Sequence, residues 1–152
     1  MPEDLNVYTA FWEALVPQSN RRTGFSIRRA RKGGFISYQF VGFQFSYQLD
    51  WLKPNATMAF TIVRSDADEI FEHLLQRRDM IEADFGEALG WVQAVSVPGN
   101  GHPSPALLTR VACLDLRDIP RADWPAVQAQ MIDAMVRLEQ VVAPHVAAWL
   151  PE

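Results

Sequence analysis

The residues predict an α+β domain: a mainly antiparallel sheet of about five strands with helices packed on one face. Three observations carry that expectation. Apolar residues recur at three- and four-residue steps near the start, again from Ile70 to Phe85, and again after Asp123. Between these stretches the period drops to two, over Phe35–Trp51 and Ala56–Arg64, and hairpin-like turn residues separate the runs. The resulting order, helix, strands, helix, strands, helix, lacks the strand–helix alternation that builds a parallel sheet.

Leu5, Tyr8, Phe11, Trp12 and Leu15 share one face, and Pro17 with the polar residues after it predicts a first helix over Asp4–Val16. From Phe35, Ile36, Tyr38 and Phe40 alternate with Ser37 and Gln39. Beyond Gly42, Phe43, Phe45, Tyr47, Leu49 and Trp51 alternate with Gln44, Ser46, Gln48 and Asp50, the pattern of one buried and one wet face. Gly42 reads as a bulge or bend between two strand segments. Lys53, Pro54 and Asn55 supply a turn, and Ala56–Arg64 returns to close a hairpin.

The stretch Asp66–Trp91 is the best-marked helix. Ile70, Phe71, Leu74, Leu75, Ile81 and Phe85 form a stripe fit to cover a sheet, and Ser65 or Asp66 is placed to cap it. Acids crowd its first turns, and Gly86 suits the left-handed stop. Trp91–Val97 and Leu107–Leu116 predict a second hairpin whose tip is the proline- and glycine-rich PGNGHPSP. Asp123 and Pro125 open a last, long helix carried by Val127, Met131, Met135, Leu138 and Val142, which Pro144 should kink or end.

With 152 residues, 49% of them hydrophobic, the chain suits one domain, 1–152, around one core. A net charge of -4 argues against coating nucleic acid or acidic membrane with the whole surface, yet permits a local basic patch. A lone cysteine, Cys113, permits no internal disulfide and no CxxC metal knuckle. The acidic start does not read as a signal peptide, and no apolar run approaches the roughly 18–20 residues of a membrane span. The expectation is a cytoplasmic protein without membrane contact.

One asymmetry stands out. Arg21, Arg22, Arg28, Arg29, Arg31 and Lys32 hold six of the 14 basic side chains within SNRRTGFSIRRARKGG, and no acid lies among them. Guanidinium groups grip phosphates bidentately, and Phe25, Phe35 and Tyr38 nearby are of the type that stacks on bases. The competing reading is a solvated segment whose arginines pair with the acidic helix Asp66–Glu87. Glu82 and Arg110 are a candidate ion pair pinning that helix to the next hairpin.

YTAFWEAL near the start, FEHLLQRRDMIEADFGEALGW, TRVACLDL and DWPAVQAQMIDAMVRLEQVVAPHV together resemble a family of uncharacterised bacterial and archaeal domains. Such domains often form the C-terminal part of proteins whose N-terminal part looks like a PD-(D/E)XK nuclease, in restriction- and defence-like settings. The resemblance runs from about Val7 to His145, and its most specific pieces are Ile81–Trp91, Arg110, Asp123 and Trp124. Glu82, Phe85, Gly86, Leu89, Trp91 and Arg110 match recurring positions, to which the family assigns no catalytic role. The resembling stretch fills this chain, so the resemblance implies a domain that acts alone, as a homo-oligomer, or with a separately encoded nuclease or defence protein.

No catalytic residue, metal ligand set or cofactor site is assigned. A nuclease of the PD-(D/E)XK type needs clustered carboxylates around a divalent ion and usually a lysine. Only Lys32 and Lys53 are present, and neither later strand carries a Glu-x-Lys motif. Glu69 and His73, like Asp68 and Glu72, stand at ligand spacing, but such pairs are common on solvated acidic faces. His102 and His145 belong to no motif, and Cys113 alternates within a strand as an inert thiol does. The sequence therefore predicts a non-catalytic accessory domain that binds nucleic acid, or a nuclease partner acting on it, through the arginine-rich segment. Two alternatives are a protein-interaction or self-association module using an aromatic face on Phe43–Trp51 or the first helix, and a small enzyme whose site is not visible in sequence.

Overall fold

The computed structural model describes residues 2–27, 35–49, 55–95, 103–112 and 116–149. In chain order these form α1 (Pro2–Arg22), β1 (Phe35–Phe40), β2 (Phe43–Leu49), β3 (Asn55–Ile62), α2 (Ala67–Leu75), α3 (Arg78–Phe85), β4 (Gly90–Val95), β5 (Ser104–Ala112) and α4 (Trp124–Trp149). Short 3-10 turns at Leu116–Asp118 and Arg121–Asp123 lead into α4. The sheet has five antiparallel strands in the order β1-β2-β3-β5-β4, which is the predicted α+β class.

One face of the sheet carries the core. Opposite pairs Phe43↔Ile62, Phe45↔Phe60 and Tyr47↔Met58 continue across β3 into Phe60↔Leu107, and all are buried. α4 lies against this face and packs on β3, β5, α1, α2 and α3, so its buried stripe of Met131, Ile132, Met135, Leu138 and Val142 is the hub of the domain. The aromatic faces considered for self-association are therefore interior: Phe43, Phe45, Tyr47, Phe11 and Trp12 are all buried. The other face was expected to be wet. Instead Gln44, Ser46, Thr57, Thr61, Ala106 and Leu108 are buried as well, and the Gln44 side chain accepts a hydrogen bond from Gln39 Nε2 at 2.6 Å. Alternation tells which residues share a face, not whether the polar face is covered.

Pro17 was expected to stop the first helix and Pro144 to kink or end the last, and neither ends its helix. Pro17 lies inside α1 and Pro144 inside α4. Each is exposed, so the carbonyl that loses its partner four residues earlier faces water rather than the core. Beside Pro17, Gln18 Nε2 donates to Ala14 O at 2.9 Å, covering a carbonyl near the interruption.

The predicted single helix over Asp66–Phe85 is two. Gln76 and Arg77 break it, and Arg77 N–H bonds Leu74 O in a tightened turn before Ile81 N–H bonds Arg77 O. The break redirects the apolar stripe: α2 packs on β5 and β3 through Ile70, Phe71 and Leu74, whereas α3 packs on α4. Gly86 ends α3 as expected, at φ 99° with its N–H on Glu82 O. Asp66 precedes α2 but does not cap it with its side chain. Its carboxylate is held by Arg64, from Nε at 2.8 Å and the second guanidinium nitrogen at 3.2 Å.

Of the bulge or bend expected at Gly42, the structure has the bend. Val41 (φ 43°) and Gly42 (φ 84°) form a two-residue left-handed turn that folds β1 onto β2, closing on Phe40↔Phe43. Two consecutive positive φ values are what a type I′ hairpin turn requires, and its twist matches that of the strands. Arg64 clamps this turn: its guanidinium donates to Val41 O at 3.1 Å and lies over the Phe43 ring, while Val63 N–H bonds Gly42 O. The bulge lies elsewhere, between Val92 and Val95 of β4, opposite Pro105. Pro105 has no N–H to give, so the ladder loses nothing by stepping out there. Trp51, Lys53, Pro54, His102 and Cys113 lie outside the described residues.

Candidate nucleic-acid interface

Of the six basic residues, Arg21 and Arg22 are described, while Arg28, Arg29, Arg31 and Lys32 lie outside the described residues. Arg21 and Arg22 occupy the last turn of α1, where cations complement the helix dipole, and both are exposed. The chain beyond them, up to Ile27, is pinned at nearly every residue. Ser19, fully buried, shares a 2.7 Å hydrogen bond with Tyr47 OH and so fixes the end of α1 to β2. Burial pushes the Tyr47 phenol above its ordinary range, which keeps that hydroxyl protonated. Ser19 O accepts from both the N–H and the hydroxyl of Thr23, and Thr23 Oγ1 accepts from Phe25 N–H.

The Asn20 amide then pairs with the backbone of Ile27 in both senses, Nδ2 to Ile27 O at 2.8 Å and Ile27 N to Oδ1 at 3.0 Å. Gly24 N–H donates to the Glu139 carboxylate of α4 at 3.0 Å. Phe25 is buried with its ring 4.8 Å from Phe45 and 5.2 Å from Tyr38. The chain thus leaves α1 along a fixed track up to the residue before Arg28. The same burial removes Phe25 from the side chains expected to stack on bases.

Arg22 does not pair with the acidic helix, as one reading expected. Its partner is Asp133 on α4, at 2.5 Å. Both side chains are about half exposed, 45% and 59%, so the pair is solvated and weak, and a phosphate can compete for Arg22.

Glu82 and Arg110 are not brought together. Among the described residues, the cationic partner of Glu82 is Arg78, one helical turn back at 3.5 Å, whereas Arg110 is exposed on β5 opposite Thr57. Glu82 still joins α3 to the next strand, but by hydrogen bonds: its Oε2 accepts from Leu89 N–H at 2.8 Å and Trp91 Nε1 at 3.0 Å. Those two donors, the Leu89 amide foremost, hold the carboxyl below its usual range. The left-handed turn at Gly86 folds the chain back far enough for this contact, which explains the acid, glycine and tryptophan as one local device.

The described residues also shape concavities away from Arg21 and Arg22. A groove of about 570 Å³ runs between α3 and α4 past Asp84, Arg137 and His145. A second, about 450 Å³, is acidic, with Glu69 and Glu72 beside His73, whose ring lies 5.1 Å from that of Trp149. The third, about 170 Å³, is apolar and lies between Phe45, Phe60 and the Val142–Val146 face of α4. Among the described residues no three His, Cys, Asp or Glu side chains are grouped to hold a metal ion, and no helix is long and apolar enough to cross a membrane. Sequence reasoning missed Asp133, Glu139 and Arg137, since nothing local links them to segments more than 50 residues away.

Comparison with curated proteins and with solved structures finds no match for the chain. A family model does match, spanning residues 7–146 from the first helix to near the end of the last, and the chain therefore belongs to the family described as Domain of unknown function (DUF4268).

Proposed function

We propose that this is a non-catalytic accessory domain that docks nucleic acid, or a nuclease-type partner bound to nucleic acid, through Arg21, Arg22, Arg28, Arg29, Arg31 and Lys32. The observation that carries the reading is the rigid exit from α1. Two exposed arginines end the helix, and the pinned turn Thr23–Ile27 delivers the chain to the remaining four cations from a fixed point. A fixed origin lowers the ordering cost of presenting several cations to a phosphate backbone together. Electrostatic docking of this kind needs no reacting group. A bacterial defence- or restriction-like setting rests on the family resemblance alone.

The test is binding of labelled single- and double-stranded DNA and RNA across a salt series, for the native chain and for Arg28, Arg29 and Arg31 changed together to Glu. Phosphate docking predicts affinity that falls steeply with salt, and a shallower slope in the variant. Equal slopes, or no binding by the native chain at low salt, would remove the reading.

A further inference from the structure

The groove between α3 and α4 brings a guanidinium, an amide and an imidazole together. His145, on α4, is nine-tenths buried and lines the groove, yet its ring has no hydrogen-bond partner among the described residues. Gln140, five residues earlier and exposed, likewise has an uncommitted amide. Arg137 is the opposite case. Its Nε and one terminal nitrogen both donate to Phe85 O, and its guanidinium lies 4.3 Å from the Phe85 ring centroid. That double anchorage holds the planar guanidinium over the Phe85 ring, and Arg137 is exposed and lines the groove. Met80, 56% exposed, stands on the α3 side.

A flat cationic plane beside free amide and imidazole edges is the chemistry that receives an unstacked nucleobase. Resting on the phosphate-docking reading above, we propose that the α3–α4 groove seats a base of a single-stranded nucleic acid. The base stacks on Arg137 and is hydrogen-bonded on its edge by Gln140 and His145.

Position supports continuity with the basic segment. Asp133, the partner of Arg22, lies about 6 Å along the helix axis from Arg137 and about 10 Å from Gln140, on the same exposed stripe of α4. A strand whose phosphate displaces Asp133 from Arg22 therefore reaches the groove within one or two nucleotides. Asp84 in the groove repels phosphate and accepts from exocyclic amino groups, which favours a base over the backbone there. Burial, aided by Arg77, holds the His145 imidazole below its usual range and so neutral, able to accept as well as donate.

The experiment compares a labelled single strand of about 12 nucleotides with an abasic strand of equal length, matched in phosphates. The proteins are the native chain, Gln140→Ala, which changes an exposed residue, and Arg137→Lys, which keeps the charge but not the plane. The native chain is expected to bind the base-bearing strand roughly 5- to 100-fold more tightly than the abasic one, and both variants to lose most of that preference with an unchanged salt slope. Circular dichroism and thermal melts check that the variants fold. A native chain that binds both strands equally overturns the base seat and leaves phosphate docking standing. Arg21→Glu with Arg22→Glu that leaves both the salt slope and the base preference intact overturns the role of those arginines while the seat stands. Absence of binding to either strand at low salt overturns both.

Discussion

Replacing Gly42 by alanine should expose how tightly the first hairpin is tied to the helical layer. At φ 84° an L side chain costs about 1–2 kcal/mol. The added Cβ would also overlap Cγ of Arg64 and stand 2.9 Å from its Cδ, so Arg64 must leave its clamp on Val41 O and Asp66. Forced repacking of that sort adds about 1–3 kcal/mol, for a total of roughly 2–4 kcal/mol. Urea unfolding followed by tryptophan fluorescence measures it. The same change made in an Arg64→Ala background meets no clash, and only the backbone part, about 1–2 kcal/mol, should remain. Equal costs in the two backgrounds, or a cost below about 0.5 kcal/mol in the native one, would refute the clamp.

Pro17→Ala restores a helical N–H in the continuous α1, and after the entropy lost by the unfolded proline is allowed for, it should stabilise by about 1–2 kcal/mol in the same assay. A helix that truly ended at Val16 would show no gain. Ser19→Ala strands the buried Tyr47 hydroxyl and should cost about 1–3 kcal/mol, whereas Tyr47→Phe should cost about 1, and the double variant less than the sum. Because the folded Tyr47 phenol titrates above its unfolded value near 10, the unfolded chain releases its proton first. Its contribution is therefore full below about pH 10 and is lost as pH rises beyond it, and Tyr47→Phe should flatten that limb of a stability-versus-pH curve. The Asp66 carboxyl, held down by Arg64, has the opposite sign: stability it contributes is present above the ordinary aspartate range and lost as pH falls, a slope that Asp66→Asn should reduce in acid melts.

The sheet, its antiparallel pairing and the glycine stop at Gly86 were legible because each rests on a local rule: period two in strands, period 3.6 in helices, and positive φ at glycine. The errors are also physical. Pro17 was read as a stop, and Pro144 as a kink or an end, without knowing that both are exposed, and exposure decides whether a lost helical bond matters. The break at Gln76–Arg77 has no glycine or proline to announce it, since it arises from α2 packing on the sheet while α3 packs on α4. Gly42 was legible as a special position, but valine before it hid the two-residue turn, because a β-branched residue is a rare occupant of positive φ. Glu82 was singled out correctly and given the wrong partner, since its true acceptor role depends on a backbone amide that no side-chain pattern reports. The α3–α4 groove joins residues 52 apart along the chain, as in the Arg137 contact with Phe85, and no spacing rule spans that distance.

Hydrogen exchange of the native chain, with and without a single-stranded oligonucleotide at low salt, tests the central claim most directly. Phosphate docking from α1 predicts slowed exchange at the end of α1 and across residues 21–35, with the acidic α2 unchanged. Slowed exchange confined to α2, or none at residues 21–35 under conditions where the oligonucleotide is bound, would contradict it.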